Sequence, residues 1–303
     1  MKLIRARVLG FCMGVRRAVE LAVCESENGG DVYTLGPLIH NPNVLADLQK
    51  RGIKVLQEPP ENCKDCSLII RAHGISPKAE KDLRTRGCRI VDATCPKVKA
   101  SQLKAKELAL QGYCLFLAGE GEPSGGALQA ERPSVHAEIA GILGYVEDGF
   151  SEKGTSFCAV VGSAEEAERE ASKLFEKNRN AKTALLGQTT FCEEEYFSIG
   201  EAIKKFFPDL EIVQTICTAT TDRQKALREL LEQSEAVLIA GGMDSANTRR
   251  LLAIAQESGK PCALVEKPQD IPADFFHYET IGICAGASTP DSAISEIELK
   301  LFR

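Results

Sequence analysis

Residues 67–77, SLIIRAHGISP, decide the fold class, because three signals follow one another in this short stretch. Residues 68–71 form an apolar run typical of a buried strand, and the small turn Ala72-His73-Gly74 comes next. Ser76 and Pro77 then have the hydroxyl N-cap and the first-turn proline of a helix. A strand, a small-residue turn and a helix in direct succession predict one βα unit of a parallel sheet.

The same succession recurs twice farther along the chain. Residues 115–117 lead into Ala118-Gly119, and residues 237–239 lead into Ala240-Gly241-Gly242. Apolar runs and helical patterns alternate almost from end to end, which predicts an α/β protein with mainly parallel sheets, and the three units suggest three similar small domains. Ligands bind beyond the carboxyl ends of such strands, so functional side chains are expected in these turns. The predicted strands are residues 3–8, 32–35, 68–71, 90–92, 114–117, 157–161, 184–186, 211–215, 237–240, 262–265 and 281–285.

Capping residues mark the predicted helices. Ser163 and Glu166 have the spacing of a capping box ahead of a helix over residues 167–178. Two further helices are predicted over residues 96–111 and 245–257, each closed by a glycine.

Composition limits the function classes. The 303 residues include 37 Lys and Arg against 43 Asp and Glu, a net charge of −6, and 44% are hydrophobic. A mildly acidic chain has no global field for holding nucleic acid or an anionic membrane, so neither is expected as a partner. No apolar run approaches the roughly 20 residues of a membrane span, and the N-terminus lacks a signal peptide. These features predict a soluble, cytoplasmic protein of two or three domains.

One segment interrupts the alternation. Residues 120–134, EGEPSGGALQAERPS, have no steady period, and such long loops are usually functional lids or insertions. Neither a G-x-G-x-x-G fingerprint nor a P-loop motif occurs in the chain, so dinucleotide and P-loop nucleotide sites have no sequence support.

Twelve cysteines are an unusually large number for this length. Without a secretory signal a disulfide framework is not expected, and metal or redox chemistry is the better interpretation. Cys63 and Cys66 form a C-x-x-C pattern that is predicted to mark a surface turn. Six other cysteines lie in or beside apolar patterns and are predicted to pack in the core: Cys24, Cys88, Cys114, Cys158, Cys262 and Cys284.

Cys12, Cys95 and Cys217 differ from the rest, because each lies between a predicted strand and a predicted helix. The partial positive charge and free N–H groups of a helix N-terminus stabilise a thiolate at that place. Three such thiolates could hold one iron–sulfur cluster, which would leave one iron open as a Lewis acid. The pattern by itself is also compatible with three cysteines that only pack.

The residues around these cysteines resemble the LytB family over nearly the whole chain. The resemblance rests on nine motifs in the family's order: GFCMGVRRA from Gly10, LIHNPNV from Leu38, AHGIS from Ala72, DATCP from Asp92, HAEIAG from His136, QTT from Gln188, ICTATTDRQ from Ile216, DSANT from Asp244 and AGASTPD from Ala285. It implies three similar α/β domains around a central [4Fe–4S] cluster bound by Cys12, Cys95 and Cys217. We expect these domains at residues 1–96, 97–214 (with the insertion near 120–134) and 215–303.

The resemblance also implies an activity. Members of the family carry out the reductive dehydroxylation of 4-hydroxy-3-methylbut-2-enyl diphosphate to isopentenyl and dimethylallyl diphosphate, the last step of the non-mevalonate isoprenoid pathway. No flavin or nicotinamide site is visible, so the electrons are expected from an external carrier such as ferredoxin or flavodoxin.

Candidate substrate-binding residues follow from the same motifs. By resemblance His40 and His73 hold the diphosphate and His136 lies near the hydroxymethyl end, and a histidine offers a switchable charge with N–H donors. Ser245, Asn247 and Ser288 would complete the diphosphate site with hydroxyl and amide donors. Considered alone, Ser245 and Asn247 could be N-caps, and any one histidine could be structural.

Candidate catalytic residues are Glu138, Thr189 and His136. A buried glutamate near a negative cluster and a diphosphate should have a raised pKa, so Glu138 is the expected proton source. Thr189 is expected to pass on that proton or to bind the substrate hydroxyl, although alone it could be an ordinary strand-end residue.

Four positions depart from the family's pattern. Ala246 replaces the second serine of the diphosphate motif, Ala137 replaces a proline, Lys97 replaces a leucine, and Cys192 follows the QTT motif. One hydroxyl donor to the diphosphate is therefore lost.

Two other functions remain open at this stage. One is a hydratase or dehydratase that uses the same open iron on a different anionic substrate. The other is a metal-binding module without catalysis, which the histidine, serine and asparagine set argues against.

Overall fold

The computed structural model describes residues 1–58, 63, 66–121, 135–151 and 157–302, in which strands and helices alternate. The strands are β1 (Lys2–Arg5), β2 (Asp31–Leu35), β3 (Ile53–Leu56), β4 (Cys66–Ile70), β5 (Arg89–Asp92), β6 (Cys114–Ala118), β7 (Cys158–Val161), β8 (Thr183–Gly187), β9 (Glu211–Ile212), β10 (Ala236–Ala240), β11 (Cys262–Val265) and β12 (Thr280–Ala285). The α-helices are α1 (Met13–Glu27), α2 (Pro42–Lys50), α3 (Pro77–Thr85), α4 (Pro96–Leu110), α5 (Ala137–Ser151), α6 (Ala164–Lys177), α7 (Glu193–Lys204), α8 (Thr218–Gln233), α9 (Ala246–Glu257) and α10 (Asp291–Leu301).

The described strands form three four-stranded sheets, in the orders β1-β12-β10-β11, β3-β2-β4-β5 and β7-β6-β8-β9. The last two share one topology, in which the four strands, counted along the chain, have the order 2-1-3-4. The first has the same topology when β1 takes the fourth place after β10, β11 and β12. Neighbouring strands with a defined register run parallel. The predicted α/β class with three similar parallel sheets is therefore confirmed.

Strand β1 completes a sheet whose other strands come from the C-terminal part of the chain. Lys2 lies opposite Thr280 and Ile4 lies opposite Gly282. The strands of this sheet therefore come from two separate parts of the sequence. The domain boundaries predicted at 96/97 and 214/215 stay a prediction. The chain forms two compact units: one contains Met1–Asn28, Pro37–Val55 and Thr218–Arg303, and the other contains Gly29–Gly36 and Leu56–Cys217.

Helices bury both faces of the sheet formed by β7, β6, β8 and β9. Phe116 packs on one face with Ile199 of α7, and Leu117 packs on the other face with Leu108 of α4. Successive side chains of a strand point to opposite faces, so the unbroken apolar run of β6 fits a strand buried on both sides. Each fully buried side chain of this size stabilises the fold by about 1.5–3 kcal/mol.

The structure corrects three local predictions. Strand β3 was not predicted, because its four residues IKVL form a short strand at the end of its sheet, with exposed side chains at its centre. The strands predicted over 3–8 and 211–215 end at Arg5 and Ile212. Ser163 Oγ accepts a bond from the Glu166 N–H at 3.3 Å, but Glu166 Oε2 accepts from the Gly162 N–H at 2.7 Å, so the capping box is only half formed.

The prediction of a turn at Cys63 and Cys66 is confirmed, since the Cys66 N–H donates to Cys63 O at 3.2 Å, but its placement at the surface is wrong. Both side chains are buried, and Cys63 forms a disulfide bond with Cys88. The same cluster contains Leu68 and Leu83, so apolar packing brings the backbones of Cys63 and Cys88 to a Cα separation of 4.5 Å. Cys88 is buried in this core cluster as predicted, but it packs there as a disulfide partner rather than as a free thiol.

Most of the other predicted packing cysteines are confirmed. Cys158 and Cys284 are buried, and Cys114 and Cys262 are half-buried free thiols. Cys24 is exposed, so the prediction for that residue is wrong.

The predicted insertion at residues 120–134 lies outside the described residues from position 122 onward. Among the helices that the structure describes, none combines the length and the apolar character needed to cross a bilayer.

Candidate functional site

Cys12, Cys95 and Cys217 occupy equivalent places in the three sheets. Each follows the fourth strand of its sheet (β1, β5 or β9) and directly precedes a helix (α1, α4 or α8). Cys12 and Cys95 are the N-cap residues of their helices, and Cys12 Sγ accepts a bond from the Val15 N–H at 3.5 Å. All three are half-buried cysteines that form no disulfide bond. The predicted position between strand and helix is confirmed for each of them.

The backbone of each cysteine is fixed in the same way. Its N–H group donates to a carbonyl in the turn that follows the third strand of the same sheet. The acceptors are Ala287 O for Cys12 (3.1 Å), Ala72 O for Cys95 (2.9 Å) and Thr189 O for Cys217 (2.9 Å). Three separate parts of the chain therefore hold a cysteine by one repeated backbone bond.

Glu138 is a buried carboxylate in the first turn of α5, with 1% of its surface exposed. Thr189 donates to it twice, from the backbone N–H to Oε1 at 2.7 Å and from the hydroxyl to Oε2 at 2.9 Å. Burial raises the pKa of Glu138 to about 7, and the two bonds from Thr189 act against that rise. A carboxyl group with this pKa holds a proton in a large fraction of molecules at neutral pH, as expected for a proton source.

His136 lies directly before α5 and caps it. Its N–H donates to Glu120 O at 3.0 Å, and its ring Nδ1 accepts a bond from the Glu138 N–H at 3.2 Å. Because Nδ1 is an acceptor, the neutral ring carries its proton on Nε2.

His73 and His136 come together within their unit. Their ring centroids are 5.5 Å apart, and the rings meet edge to face at 81°. Both are half-buried; His73 lies in the turn after β4, and His136 lies directly before α5. The turn of His73 is also close to Gln102, whose Nε2 donates to His73 O at 3.5 Å.

The other unit holds Ser245, Asn247, Ser288 and His40. Ser245 is the N-cap of α9 and accepts from the Thr248 N–H at 3.4 Å, which leaves its own hydroxyl proton available as a donor. Ser288 Oγ donates to His40 O at 3.1 Å, so these two residues are in direct contact.

Asn247 is the most informative residue of this group. It is 4% exposed, and its Nδ2 group is buried without a hydrogen-bond partner among the described residues. A buried amide left without an acceptor costs roughly 1–3 kcal/mol, so an external acceptor is needed to offset it. An oxygen atom of an anionic ligand is such an acceptor.

Gln188 is a buried polar residue that was not a candidate site residue from the sequence. Gln188 is 1% exposed; its Oε1 accepts from the Glu120 N–H at 3.1 Å, and its Nε2 donates to Thr190 Oγ1 at 2.7 Å. The QTT motif contains Gln188, but only the tertiary structure shows that it binds Glu120, whose carbonyl in turn accepts the bond from the His136 N–H.

The four positions that depart from the family's pattern all lie at the beginning of a helix. Ala246 is buried at the first position of α9, Ala137 begins α5 and Lys97 is exposed in α4. Cys192 is the N-cap of α7, and its Sγ donates to Glu194 Oε2 at 2.8 Å. Unlike the three cysteines above, Cys192 follows the third strand of its sheet.

Comparison with protein families gives one match. A family model described as "LytB protein" matches residues 3–302. Among individual relatives, the 4-hydroxy-3-methylbut-2-enyl diphosphate reductase of Treponema denticola is 40% identical, and the match covers 98% of each chain. The protein of the same name from a Thermoanaerobacter strain is 35% identical over 99% of this chain and 96% of its own.

Solved structures agree with these relatives. A structure of (E)-4-hydroxy-3-methyl-but-2-enyl diphosphate reductase, described as the terminal enzyme of the non-mevalonate pathway, is 33% identical with a TM-score of 0.69 over 100% of this chain and 99% of that one. The Plasmodium falciparum reductase is 23% identical with a TM-score of 0.83, over 100% of this chain and 88% of its own, which is a likeness of fold. With a family model that spans residues 3–302, this chain belongs to the LytB family.

Proposed function

We propose that this protein reduces 4-hydroxy-3-methylbut-2-enyl diphosphate to isopentenyl and dimethylallyl diphosphate, the last step of the non-mevalonate isoprenoid pathway. The printed names of relatives that match almost the whole chain support this proposal. The observation that carries it is the equivalent placement of Cys12, Cys95 and Cys217, each after a fourth strand and before a helix.

The three cysteines have the chemistry that an iron–sulfur cluster requires. They form no disulfide bond and lie at helix N-termini, where the helix dipole stabilises thiolates and backbone N–H groups can bond to sulfur. Three protein thiolates on a [4Fe–4S] cluster leave one iron for the substrate hydroxyl, so the bound cluster supplies a Lewis acid and a path for electrons. Cys12, Cys95 and Cys217 are the ligands in this proposal.

The diphosphate is assigned to His40, His73, Ser245, Asn247 and Ser288. A protein with a net charge of −6 has to bind an anion by local donors. The unpartnered Nδ2 of Asn247 and the free hydroxyl proton of Ser245, at the N-terminus of α9, are donors of this kind.

Glu138 and Thr189 form the proton path of the proposed reaction. A protonated Glu138 can donate to Thr189 Oγ1 while the Thr189 hydroxyl passes its own proton to the departing substrate oxygen. His136 offers the second donor through Nε2–H. Two electrons and two protons break one C–O bond, form one C–H bond and release water.

The electrons are proposed to come from an external carrier such as ferredoxin or flavodoxin. The chain has neither a G-x-G-x-x-G fingerprint nor a P-loop motif, so a bound nicotinamide or flavin has no sequence support.

Anaerobic turnover tests the proposal directly. Protein reconstituted with iron and sulfide is mixed with 4-hydroxy-3-methylbut-2-enyl diphosphate and a reduced viologen dye. We expect the dye to be oxidised with formation of both products. A cluster-loaded protein that leaves the substrate unchanged would contradict the proposed reaction. Substrate loss without oxidation of the dye would instead indicate a hydratase or dehydratase.

A further inference from the structure

Arg223 on α8 is a buried cation that reaches a distant part of the chain. It is 3% exposed, and its Nη2 donates to Gly10 O at 2.6 Å across 213 positions of sequence. Its Nη1 donates to Ala219 O in the first turn of the same helix at 2.7 Å. A buried guanidinium is costly unless its donors are satisfied, so this contact is a specific feature of the fold.

The acceptor of this bond lies two residues before Cys12. Gly10 has φ +78°, and a Cβ there would lie 3.0 Å from Asp291 Oδ1 and 3.3 Å from Ile294 Cδ1, so only glycine fits the turn. Arg223 fixes the turn before Cys12, and the bond from the Cys12 N–H to Ala287 O fixes the cysteine itself. The turn is therefore held at both ends.

Arg223 Nη1 and Nη2 both donate to neutral carbonyl oxygens, and the guanidinium carries a positive charge. Burial raises the pKa of the neighbouring Cys284 thiol, and the charge of Arg223 acts in the opposite direction. A positive charge next to an iron–sulfur site favours the reduced state of the cluster, because reduction adds a negative charge.

We propose that Arg223 is the positioning residue of Cys12, and that it also raises the reduction potential of the cluster. The inference rests on the proposed function, because it requires Cys12 to be a cluster ligand. The guanidinium sets the orientation of the Gly10 peptide and holds the turn against α8. Outer groups of this kind orient metal ligands and tune the metal that they bind.

Lys260 provides a matched control at the other end of α8. Its Nζ donates to Leu231 O and, at 2.8 Å, to Ser234 O, so it too is a cation that binds helix-end carbonyl groups. Lys260→Met removes a comparable contact from the same helix without touching the turn of Cys12. It separates a loss of helix stability from a specific effect on the cluster.

The test uses full-length protein reconstituted anaerobically, with iron and sulfide content, midpoint potential and melting temperature as readouts. We expect Arg223→Met to bind less than half of the wild-type iron and to hold the remaining cluster at a more negative potential. Arg223→Lys keeps the charge but cannot bridge both carbonyls, so it should lose iron while its remaining cluster stays near the wild-type potential. Lys260→Met should melt earlier with wild-type iron content and potential.

Wild-type iron content and potential in Arg223→Met would overturn the inference, as would an equal loss of iron in Lys260→Met. If Arg223→Met does not fold, Arg223→Lys decides, and iron content equal to that of Lys260→Met counts against the inference. Failure of the proposed function is distinct, because it appears as wild-type protein that holds the cluster but does not consume the substrate.

Discussion

Thr189 donates two hydrogen bonds to the carboxylate of Glu138, at 2.7 Å from its backbone and at 2.9 Å from its hydroxyl. Both bonds favour the charged carboxylate, whereas burial favours the neutral acid, and burial is the larger effect on the pKa. The balance keeps a proton available near neutral pH and places a hydroxyl relay directly beside it.

Glu138→Gln should keep the cluster absorption and lower turnover by about 100-fold or more, since a positioned general acid contributes roughly 10²–10⁴-fold. The amide oxygen can still accept the bond from the Thr189 N–H, and the amide NH2 group can donate to Thr189 Oγ1, but the amide has no acidic proton to release. Visible absorption and anaerobic turnover measure the two effects. Glu170→Gln is the control, because Glu170 is a buried carboxylate that pairs with Lys173 in α6. Turnover of Glu138→Gln close to that of this control would exclude Glu138 as the donor.

The pH dependence of stability should change in the same variant. The pKa of Glu138 rises from 4.5 to about 7 on folding, so its protonated form is favoured in the native state. Glu138 therefore contributes about 3 kcal/mol to the free energy of unfolding below pH 4.5. This contribution is lost as the pH rises through about 7. Glu138→Gln does not ionise, so it should match the wild type near pH 4.5 and be more stable at pH 8. If the wild type and Glu138→Gln have equal urea midpoints at pH 4.5 and also at pH 8, the pKa of Glu138 is not raised by burial.

Thr189→Val should move the pH profile of turnover upward. Removing the hydroxyl deletes a bond that favours the charged carboxylate, so the pKa of Glu138 should rise further. Activity requires the protonated acid and falls as the pH passes this pKa, so the decline near pH 7 should shift to a higher pH, with a lower maximum rate because the relay is lost. Thr189→Ser keeps the hydroxyl and should retain the wild-type profile. If the decline in Thr189→Val stays at the wild-type pH, the two residues are not coupled in catalysis.

Substitution of any of the three cluster cysteines should lower the iron content of the protein, whereas substitution of other cysteines should not. Single Cys→Ala substitutions at positions 12, 95 and 217 should remove most of the bound iron. Cys192→Ala is the closest control, since Cys192 also begins a helix but follows the third strand of its sheet. Cys192→Ala should bind as much iron as the wild type. The same is expected of Cys24→Ala, which changes an exposed thiol. Loss of iron in Cys192→Ala would contradict the assignment, because the position after the fourth strand would then not distinguish the cluster ligands from other cysteines at helix N-termini.

Asn247→Ala should weaken binding of the diphosphate product by about tenfold, the effect of about 1.4 kcal/mol, roughly one hydrogen bond to a charged group. Because Nδ2 has no partner among the described residues, the substitution removes an unsatisfied buried donor, and the melting temperature should not fall. Asn43→Ala is the matched control in the same unit, as the Asn43 amide donates to Glu266 O at 3.2 Å. Titration with isopentenyl diphosphate measures affinity, and equal binding by the two variants would remove Asn247 from the diphosphate site.

Much of the fold could be predicted from local patterns. Apolar runs gave strands at the right places, and Ser76 and Ser245 cap α3 and α9 as their sequence positions indicate. Strand β3 escaped prediction because its four residues have no clear pattern. The Cys63–Cys88 bond escaped because pairing depends on a backbone approach that spacing does not encode.

The sequence alone determined the α/β class and the three cysteines between strand and helix, because periodicity and capping are local properties of the chain. Only the tertiary structure decided that β1 takes the fourth place in a C-terminal sheet, which makes the position of Cys12 equivalent to those of Cys95 and Cys217. It also decided the bonds from Thr189 to Glu138 and from Arg223 to Gly10. Such contacts join residues up to 213 positions apart, and their geometry follows from the burial of sheets and helices rather than from neighbouring residues.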